Sequence, residues 1–316
     1  MTLILAIESS CDETACAVVK DGKEILSNIV SSQINVHTLY GGVVPEVASR
    51  IHVENISTVI TEALEKATVT MDDIDAIAYT KGPGLIGSLH VGVQAAKTLA
   101  WVYHKPLLPI NHMTGHIYAN AFVSELQFPL MALVVSGGHT ELVWMKNDWN
   151  FEVIGTTQDD AIGEAYDKVA RVLGLGYPGG PVVDKLAKNG KPHYSLPTPK
   201  TSDPYNFSFS GLKTAVLQLK EREERKGNVV SPEDLVYAFQ ETALTTMVSK
   251  TIAAVKEYKP KMIVLAGGVA ANSRLREMMK EEMSKVEGTE LLIPPMWCCT
   301  DNAAKIGASG QIAYNH

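Results

Sequence analysis

The feature that most constrains the fold is a pattern that occurs twice, in the same order, along the chain. Near the start, the apolar segment LILAI (3–7) leads into the polar turn ESSCDET (8–14) and then into two more apolar segments. Past the middle, LMALVV (130–135) leads into SGGHT (136–140), and two apolar segments again follow. Short apolar runs between small and polar turn residues predict strands joined by tight turns. The sequence therefore predicts a quasi-repeat, with three short antiparallel strands opening each half.

A second element also recurs: a buried strand that ends in a glycine-containing turn and opens a helix. It occurs as DAIAYTKGPGLIGSLHVG (75–92) and as MIVLAGGVAANSRLR (262–276). An amphipathic helix is predicted over 45–67, before the first of these segments. At 316 residues the chain exceeds the usual size of one hydrophobic core. We expect a duplicated two-domain α/β fold. The first domain spans 1–115 and the second spans 116–300, and a last helix, 301–316, packs back on the first.

Composition and charge exclude several classes of protein. The formal net charge of −7 argues against strong nucleic-acid binding by the chain alone, since phosphate contacts need clustered Lys and Arg. The first residues have no basic flank, which argues against a signal peptide, and the longest apolar runs are too short to span a membrane. The four cysteines fall in two groups of near neighbours, Cys11 with Cys16 and Cys298 with Cys299, and this pattern suits reduced thiols better than a disulfide framework. A cytoplasmic location is expected.

Three glycine or small-residue turns are candidates for binding phosphate groups. They are residues 8–14, 136–140 and 266–272. Such turns can point several backbone N–H groups at one place, although glycine is equally the default residue of any tight turn. Together, in a duplicated α/β chain, they predict a bound nucleotide. Asp12 lies inside the first turn, where its carboxylate could act on a nucleophile, or could simply stabilise the turn.

Acidic residues cluster in DDAIGEAYDK (159–168), which the pattern predicts to be helical. Asp160, Glu164 and Asp167 are spaced i, i+4 and i+7 and would form one acidic stripe on that helix. A solvated helix face is the ordinary explanation. The glycine turn that follows makes contacts to ribose or magnesium an alternative.

A histidine pair is the best candidate for a metal site. On a helix, His112 and His116 would lie on one face, four residues apart and at a distance that suits metal chelation. Asp301 is a candidate third ligand, and helix N-capping is its alternative role. The HExxH signature of metalloproteases is absent, because Met113 stands where the catalytic Glu would be, and the chain has no GxSxG elbow.

These motifs together closely resemble the bacterial TsaD family, whose members were once described as glycoproteases. The resemblance covers the chain from Leu3 to about Ala313, in the family's order. It is carried by IESSCDET (7–14), YGGVVPEVASRIH (40–52), KGPGLIGSLHVG (81–92), NHMTGH (111–116), VVSGGHTEL (134–142), GEAYDK (163–168), YPGGP (177–181), FSFSGLKTA (207–215), AGGVAAN (266–272) and CTDNAA (299–304). It implies a fold like actin, sugar kinases and heat-shock chaperone ATPases, with the active site in the cleft between two domains.

The resemblance also implies an activity. The family transfers a threonylcarbamoyl group from threonylcarbamoyl-adenylate to the adenosine 3′ of the anticodon, in tRNAs that read codons beginning with A. It acts with an inactive paralogue, TsaB, and a small ATPase, TsaE. Rival interpretations are an ATP-dependent kinase or ATPase of the same superfold, a metalloprotease, and the family's inactive scaffold paralogue.

Residue roles follow from the same resemblance. His112, His116 and Asp301 look like ligands of one divalent metal, Fe²⁺ or Zn²⁺, and Mg²⁺ could accompany the nucleotide. Asp12 looks like the acidic residue of the first phosphate motif and would act as a base. The residues that resemble the site for the donor's adenylate portion are Val134, Val135, Ser136, Gly137, Gly138, Asp167, Gly180, Asp184 and Asn272.

Overall fold

The computed structural model describes all 316 residues, and the chain forms two compact units. Unit 1 consists of Met1–Glu125 and Pro295–His316, and unit 2 of Leu126–Pro294. Unit 1 is therefore built from both ends of the chain, whereas unit 2 is one continuous segment. The boundary predicted at 115/116 falls inside the helix His112–Tyr118.

Each unit contains one five-stranded mixed sheet. The strands of unit 1 are β1 (Leu3–Glu8), β2 (Glu13–Lys20), β3 (Glu24–Ser32), β4 (Ala76–Gly82) and β5 (Leu107–Asn111), in the order β3-β2-β1-β4-β5. The strands of unit 2 are β6 (Leu130–Val135), β7 (Thr140–Asn147), β8 (Asn150–Thr156), β9 (Met262–Ala266) and β10 (Glu290–Leu292), in the order β10-β9-β6-β7-β8. The central strand of each sheet pairs antiparallel with the next strand in sequence and parallel with a later one. The two sheets thus have the same topology, which confirms the predicted quasi-repeat.

Helices connect and cover these strands. They are α1 (Ile34–Thr38), α2 (Pro45–Ala67), α3 (Ile86–Val102), α4 (His112–Tyr118), α5 (Ile162–Val172), α6 (Gly179–Ala187), α7 (Ser210–Arg225), α8 (Pro232–Tyr258), α9 (Ser273–Met283), α10 (Met296–Cys299) and α11 (Ala304–Asn315). The predicted bounds of α2 are confirmed, and its N-terminus is set by Pro45, whose fixed φ suits the first helical position. The last helix begins at Ala304 and not at Asp301. None of the helices combines the length and the apolar character needed to cross a membrane.

The sheet of unit 1 buries both of its faces. Alternate residues of β1 point to opposite sides, so Leu5 and Ile7 pack with α2 and α3, whereas Ile4 and Ala6 pack with α11. Helix α11 lies close against the sheet at Gly307, where a Cβ atom would come within 2.5 Å of the Val19 side chain. This close packing fixes the position of the loop that precedes α11, which carries Asp301.

Candidate metal centre and glycine turns

Helix α4 presents the histidine pair. It begins directly after β5 because the Asn111 side chain caps it, with Oδ1 accepting hydrogen bonds from Met113 N at 2.8 Å and Thr114 N at 3.3 Å. One turn of helix separates His112 from His116, and their ring centroids are 4.7 Å apart. Both rings are buried. The expectation that the pair shares one helix face is confirmed.

Asp301 completes a three-ligand arrangement. Its Oδ1 lies 3.4 Å from His112 Nε2 and 3.2 Å from His116 Nε2. Ligand atoms bound at about 2.0–2.2 Å in a tetrahedral or octahedral centre lie roughly 3 to 3.5 Å from one another. Two imidazoles and one carboxylate are also a donor set that suits divalent iron or zinc. The three residues can therefore hold a metal ion, and a three-residue set leaves coordination positions open.

A second carboxylate orients the first histidine. Glu8, at the end of β1, is fully buried, and its Oε2 lies 2.9 Å from His112 Nδ1. The same carboxylate accepts hydrogen bonds from Thr80 Oγ1 at 2.9 Å and from Ser10 N at 2.6 Å. Because a carboxylate can only accept, His112 Nδ1 donates to Glu8, and this contact turns Nε2 toward Asp301. Sequence reasoning did not find Glu8, although one charged residue in an otherwise apolar strand was a usable signal.

Lys305, on the first turn of α11, also enters the centre. Its side chain is fully buried, its Nζ lies 3.0 Å from His116 Nε2, and it forms an ion pair with Asp301 Oδ1. Gly115 makes room for this approach, because a Cβ there would lie 2.9 Å from Ile306 Cδ1 and 3.5 Å from Lys305 Cγ. Sequence reasoning missed Lys305 as well. Its signal was a single lysine among the small and apolar residues of α11.

The ionisation of these groups follows from burial and from charge. Burial, followed by the charge of Lys305, lowers the pKa of His116 to about 4, so that this imidazole is neutral near pH 7. Burial raises the pKa of Asp301, but the charges of Lys305 and His112 outweigh it and hold that pKa well below its usual range. For Glu8 burial is again outweighed, chiefly by the charge and hydrogen bond of His112, and the pKa falls to about 2. The centre therefore combines two ionised carboxylates with the neutral imidazole of His116.

Asp12 lies in the turn between β1 and β2, one residue before β2 begins. The main-chain oxygen of Asp12 accepts a hydrogen bond from Gln33 N at 3.0 Å. Next to it, burial and then the charge of Asp12 raise the pKa of Glu13 to about 9. The contacts that join His112, His116 and Asp301 do not include Asp12.

The second glycine turn follows β6 in unit 2. Ser136 closes it, since Ser136 N donates to His139 O at 2.8 Å and Ser136 Oγ accepts from His139 N at 3.1 Å. The turn packs on the start of α5, where a Cβ on Gly163 would come within 2.6 Å of Ser136 O. A Cβ on Gly137 or Gly138 would meet nothing within 4 Å. The turn thus has a supported side and an open side, and the buried Val134 and Val135 precede it.

The remaining predicted donor-binding residues lie on α5, α6 and the turn before α9. Asp167 Oδ1 accepts from Gly179 N at 2.7 Å, which ties α5 to the start of α6. Asp184 accepts from Ser273 N at 3.1 Å and from Ser273 Oγ at 3.0 Å, next to Asn272. The structure therefore brings Asp184 and Asn272 together. A Cβ on Gly180 would meet nothing within 4 Å.

The Asn272 side chain is buried and makes three hydrogen bonds. Its Nδ2 donates to Tyr166 OH at 3.2 Å and to Gln240 Oε1 at 3.0 Å, and its Oδ1 caps α9 by accepting from Leu275 N at 2.8 Å. This network links the turn after β9 to α5 and α8.

The predicted acidic stripe is wrong, because α5 begins at Ile162 and excludes Asp159 and Asp160. Asp160 and Glu164 both pair with Lys168, at 2.6 Å and 2.9 Å. Asp159 instead caps α7, where it accepts hydrogen bonds from residues 208–210. Asp160 and Glu164 thus share one partner, whereas Asp167 accepts from Gly179 N, so the three acids do not form one helical stripe.

Comparison with solved structures defines the fold class. The chain superimposes on HypF from T. kodakarensis with a TM-score of 0.67, at 14% identity over 99% of this chain and 47% of that one. It superimposes on component A of the (R)-2-hydroxyglutaryl-CoA dehydratase of Acidaminococcus fermentans with a TM-score of 0.57, at 16% identity over 100% and 98% of the chains. It also superimposes on a ROK hexokinase from Thermus thermophilus with a TM-score of 0.51, at 15% identity over 99% of each chain. These likenesses confirm the predicted duplicated α/β fold.

Sequence comparison narrows this class to one family. Residues 24–308 match the family model TsaD, described as tRNA N6-adenosine threonylcarbamoyltransferase. Proteins of that name from Bacillus cereus and Bacillus subtilis are each 56% identical to this chain, over 99% and 98% of it and over 92% and 90% of their own lengths. The chain belongs to the TsaD family of tRNA-modifying transferases.

Proposed function

We propose that this protein transfers the threonylcarbamoyl group of threonylcarbamoyl-adenylate to the exocyclic amine of the adenosine 3′ of the anticodon, and releases AMP. The tRNAs would be those that read codons beginning with A. Family membership supports the reaction type. The observation that carries the proposal is the convergence of His112, His116 and Asp301 on one point, since phosphoryl-transfer enzymes of the same fold do not need such a ligand set.

The three converging residues would hold one divalent ion per chain, Fe²⁺ or Zn²⁺. When bound, such an ion supplies Lewis acidity toward oxygen atoms of the donor. The protein contributes the orientation of its ligands. Glu8 holds the His112 ring with Nε2 toward Asp301, and the packing of α11 holds Asp301 in place.

Unit 2 would bind the adenylate portion of the donor. The backbone from Val134 to Gly138 offers an open glycine turn against the start of α5, a setting that favours anionic groups. The other proposed contacts are Asp167, Gly180, Asp184 and Asn272. Mg²⁺ could accompany the nucleotide.

Asp12 would act as the base. In the proposed step, the adenosine N6 atom attacks the carbamoyl carbon, a C–N bond forms, and the bond from that carbon to the AMP oxygen breaks. The proton lost from N6 passes to the Asp12 carboxylate, and AMP leaves with the bonding electron pair. A conjugated amine is a weak nucleophile, so orientation and proton removal both favour the step.

Partners would complete the substrate-binding surface. A net charge of −7 suits a chain that shares tRNA binding with other proteins. We propose TsaB and TsaE as those partners and the cytoplasm as the compartment.

The test is transfer of labelled threonylcarbamoyl from the adenylate to unmodified tRNA, with purified partner proteins. Wild type should label the tRNA. His112→Ala should lose both the label and the bound metal, while His104→Asn should keep both. His104 is an exposed residue of unit 1 with a φ of 53°, which Asn tolerates, so the control removes a histidine without strain. Full transfer and full metal content in His112→Ala would reject the metal assignment. No label with wild type and intact metal would favour ATP hydrolysis or phosphoryl transfer.

A further inference from the structure

Two buried histidines outside the metal centre lie beside the turn that carries Asp12. His52, on α2, and His37, near the end of α1, are both 0% exposed. Buried polar groups of this kind are unfavourable unless their donors and acceptors have partners. The partners of both rings lead to the same turn between β1 and β2.

His52 holds the turn on both sides of Asp12. Its Nε2 lies 2.9 Å from the main-chain oxygen of Cys11, and its Nδ1 lies 2.7 Å from Thr14 Oγ1. A carbonyl oxygen can only accept, so Nε2 donates to Cys11 O. Burial lowers the pKa of His52, so the ring is neutral near pH 7 and Nδ1 accepts from the Thr14 hydroxyl. Helix α2 is thereby joined to the residue before Asp12 and to the residue two positions after it.

His37 supports the same turn through Gln33. Val44 N donates to His37 Nδ1 at 3.3 Å, so Nε2 carries the ring proton and donates to Gln33 Oε1 at 3.0 Å. The Gln33 side chain donates in turn to Ala48 O on α2, at 3.3 Å. The main-chain N–H of Gln33 donates to Asp12 O at 3.0 Å. Asp12 is therefore held at its own carbonyl group as well as through its neighbours.

Backbone groups fix the direction of these hydrogen bonds. The main-chain oxygens of Cys11, Asp12 and Ala48 can only accept, and Val44 N can only donate. The network thus has one arrangement of donors and acceptors, which holds the turn in one position. A base must lie within hydrogen-bond distance of the proton that it removes, and a displacement of about 1 Å can lower a rate by about 100-fold.

We propose that His52 is a positioning residue, which together with Thr14 holds the turn so that the Asp12 carboxylate stays in place for the transfer step. This inference rests on the proposed function, in which Asp12 is the base. Loss of the contact between His52 and Thr14 should lower kcat. The KM for the donor should stay near the wild-type value, because the proposed contacts to the adenylate portion all belong to unit 2.

The experiment compares the transfer kinetics of two variants of Thr14, whose side chain is 0% exposed. Thr14→Val keeps the branched shape and removes the hydroxyl, so kcat should fall by about 10- to 100-fold. Thr14→Ser restores the hydroxyl and should keep most of the wild-type kcat. Thr251→Val is the matched control, since Thr251 is also 0% exposed and its hydroxyl donates to Met247 O within α8 of unit 2. Its kcat should equal that of wild type.

A double variant shows whether Thr14 acts through Asp12. In Asp12→Asn the proposed base is absent, so adding Thr14→Val should lower kcat no further. His52→Ala lacks both contacts to the turn; it should lower the wild-type kcat at least as much as Thr14→Val and should also add nothing to Asp12→Asn. Effects that multiply in the double variants would overturn the inference, because Thr14 and His52 would then act independently of Asp12.

Hydrogen exchange of the Gln33 amide follows the turn without any need for activity. This amide donates to Asp12 O, so it should exchange faster in Thr14→Val than in wild type, Thr14→Ser or Thr251→Val. Amides of unit 2 should exchange as in wild type, which separates movement of the turn from a general loss of stability.

Unchanged kcat in Thr14→Val, beside an active wild type, would overturn the inference and leave the proposed reaction intact. No transfer by wild type would instead remove the proposed reaction. Faster Gln33 exchange in Thr14→Val would then still show that the network holds the turn, and unchanged exchange would overturn that as well.

Discussion

Glu8 Oε2 lies 2.9 Å from His112 Nδ1, although the two residues are 104 positions apart in the sequence. This contact fixes which nitrogen of the first histidine carries the proton. Carboxylate partners of metal-binding histidines typically change metal affinity or activity by about 10- to 100-fold when they are removed. The relationship therefore makes Glu8 a positioning residue of the centre.

Replacing Glu8 by Gln tests this role. The amide keeps the size of the side chain but loses the charge, so we expect metal affinity to fall by about 10-fold or more while all three ligands remain. Equilibrium dialysis with Zn²⁺ would measure it. Glu24→Gln, which affects only an exposed pair with Lys20, should leave affinity unchanged. Equal affinities of Glu8→Gln and wild type would remove Glu8 from the centre.

The glycine turn of unit 2 depends on Gly163. An alanine there would place its Cβ 2.6 Å from Ser136 O and 2.8 Å from Gly137 Cα, which are backbone atoms that cannot move independently. We expect Gly163→Ala to lower the free energy of unfolding by about 1–3 kcal/mol through overpacking, and to weaken AMP binding. Gly211→Ala, at a position with open space on α7, should be neutral or slightly stabilising. Urea unfolding of both variants would compare them, and equal stabilities would contradict the close packing of α5 on the turn.

Asn272 can be tested by removing only its donors. Asn272→Asp keeps the oxygen that caps α9 but places a second acceptor against Gln240 Oε1. Leaving buried polar groups without partners costs about 1–3 kcal/mol, so we expect a lower Tm and a lower unfolding midpoint in urea. Asn150→Asp, at an exposed position at the start of β8, should leave both the Tm and the unfolding midpoint in urea unchanged. An unchanged Tm in Asn272→Asp would show that the network does not stabilise unit 2.

Asp159 gives a prediction about pH. Burial raises its pKa, but hydrogen bonds from Ser208, Phe209 and Ser210 outweigh it and hold the pKa below the ordinary value of 3.8. A carboxyl group with a lowered pKa in the folded state stabilises the protein above its unfolded pKa, and this stabilisation is lost as the pH falls through the folded value. The free energy of unfolding of wild type should therefore exceed that of Asp159→Asn by about 1 kcal/mol or less at pH 6, since solvent screens this exposed group. This difference should disappear as the pH falls below about 3.8.

Urea unfolding of both proteins from pH 3 to pH 7 measures this difference. A gap that stays constant over the whole range would show that the Asp159 charge contributes nothing to the capping of α7.

Local patterns predicted the parts of the fold that local physics controls. The bounds of α2 follow from Pro45 at its start and from the periodicity of its apolar residues. The repeated strand order follows from turn residues between short apolar runs. The start of α5 was predicted wrongly because Asp159 hydrogen-bonds to residues 208–210, about fifty positions further along the chain. No local propensity contains that contact.

The same difference between local patterns and long-range contacts explains which residues of the metal centre were predicted and which were missed. His112 and His116 are four residues apart, so helical spacing alone puts them together. Asp301 was a candidate ligand from its predicted place at the start of a helix, and the family's motif supported it. Glu8 reaches the centre only because the end of β1 comes within hydrogen-bond distance of His112, and Lys305 only because Gly115 lets α11 come close. Close approach of this kind depends on tertiary packing, which a single sequence does not display.

The assembly of unit 1 from both ends of the chain has a consequence for the order of events during translation. Residues 126–294 form a continuous unit that can fold as soon as it leaves the ribosome. The sheet of unit 1 is synthesised earlier, yet the face that buries Ile4 and Ala6 stays uncovered until α11 is made. His112 and His116 likewise cannot make their contacts with Asp301 and Lys305 until those residues have been synthesised. The segment Met1–Glu125 is thus synthesised before unit 2 but reaches its final packing after it, and its open sheet face is the surface that a nascent chain would most need to shield.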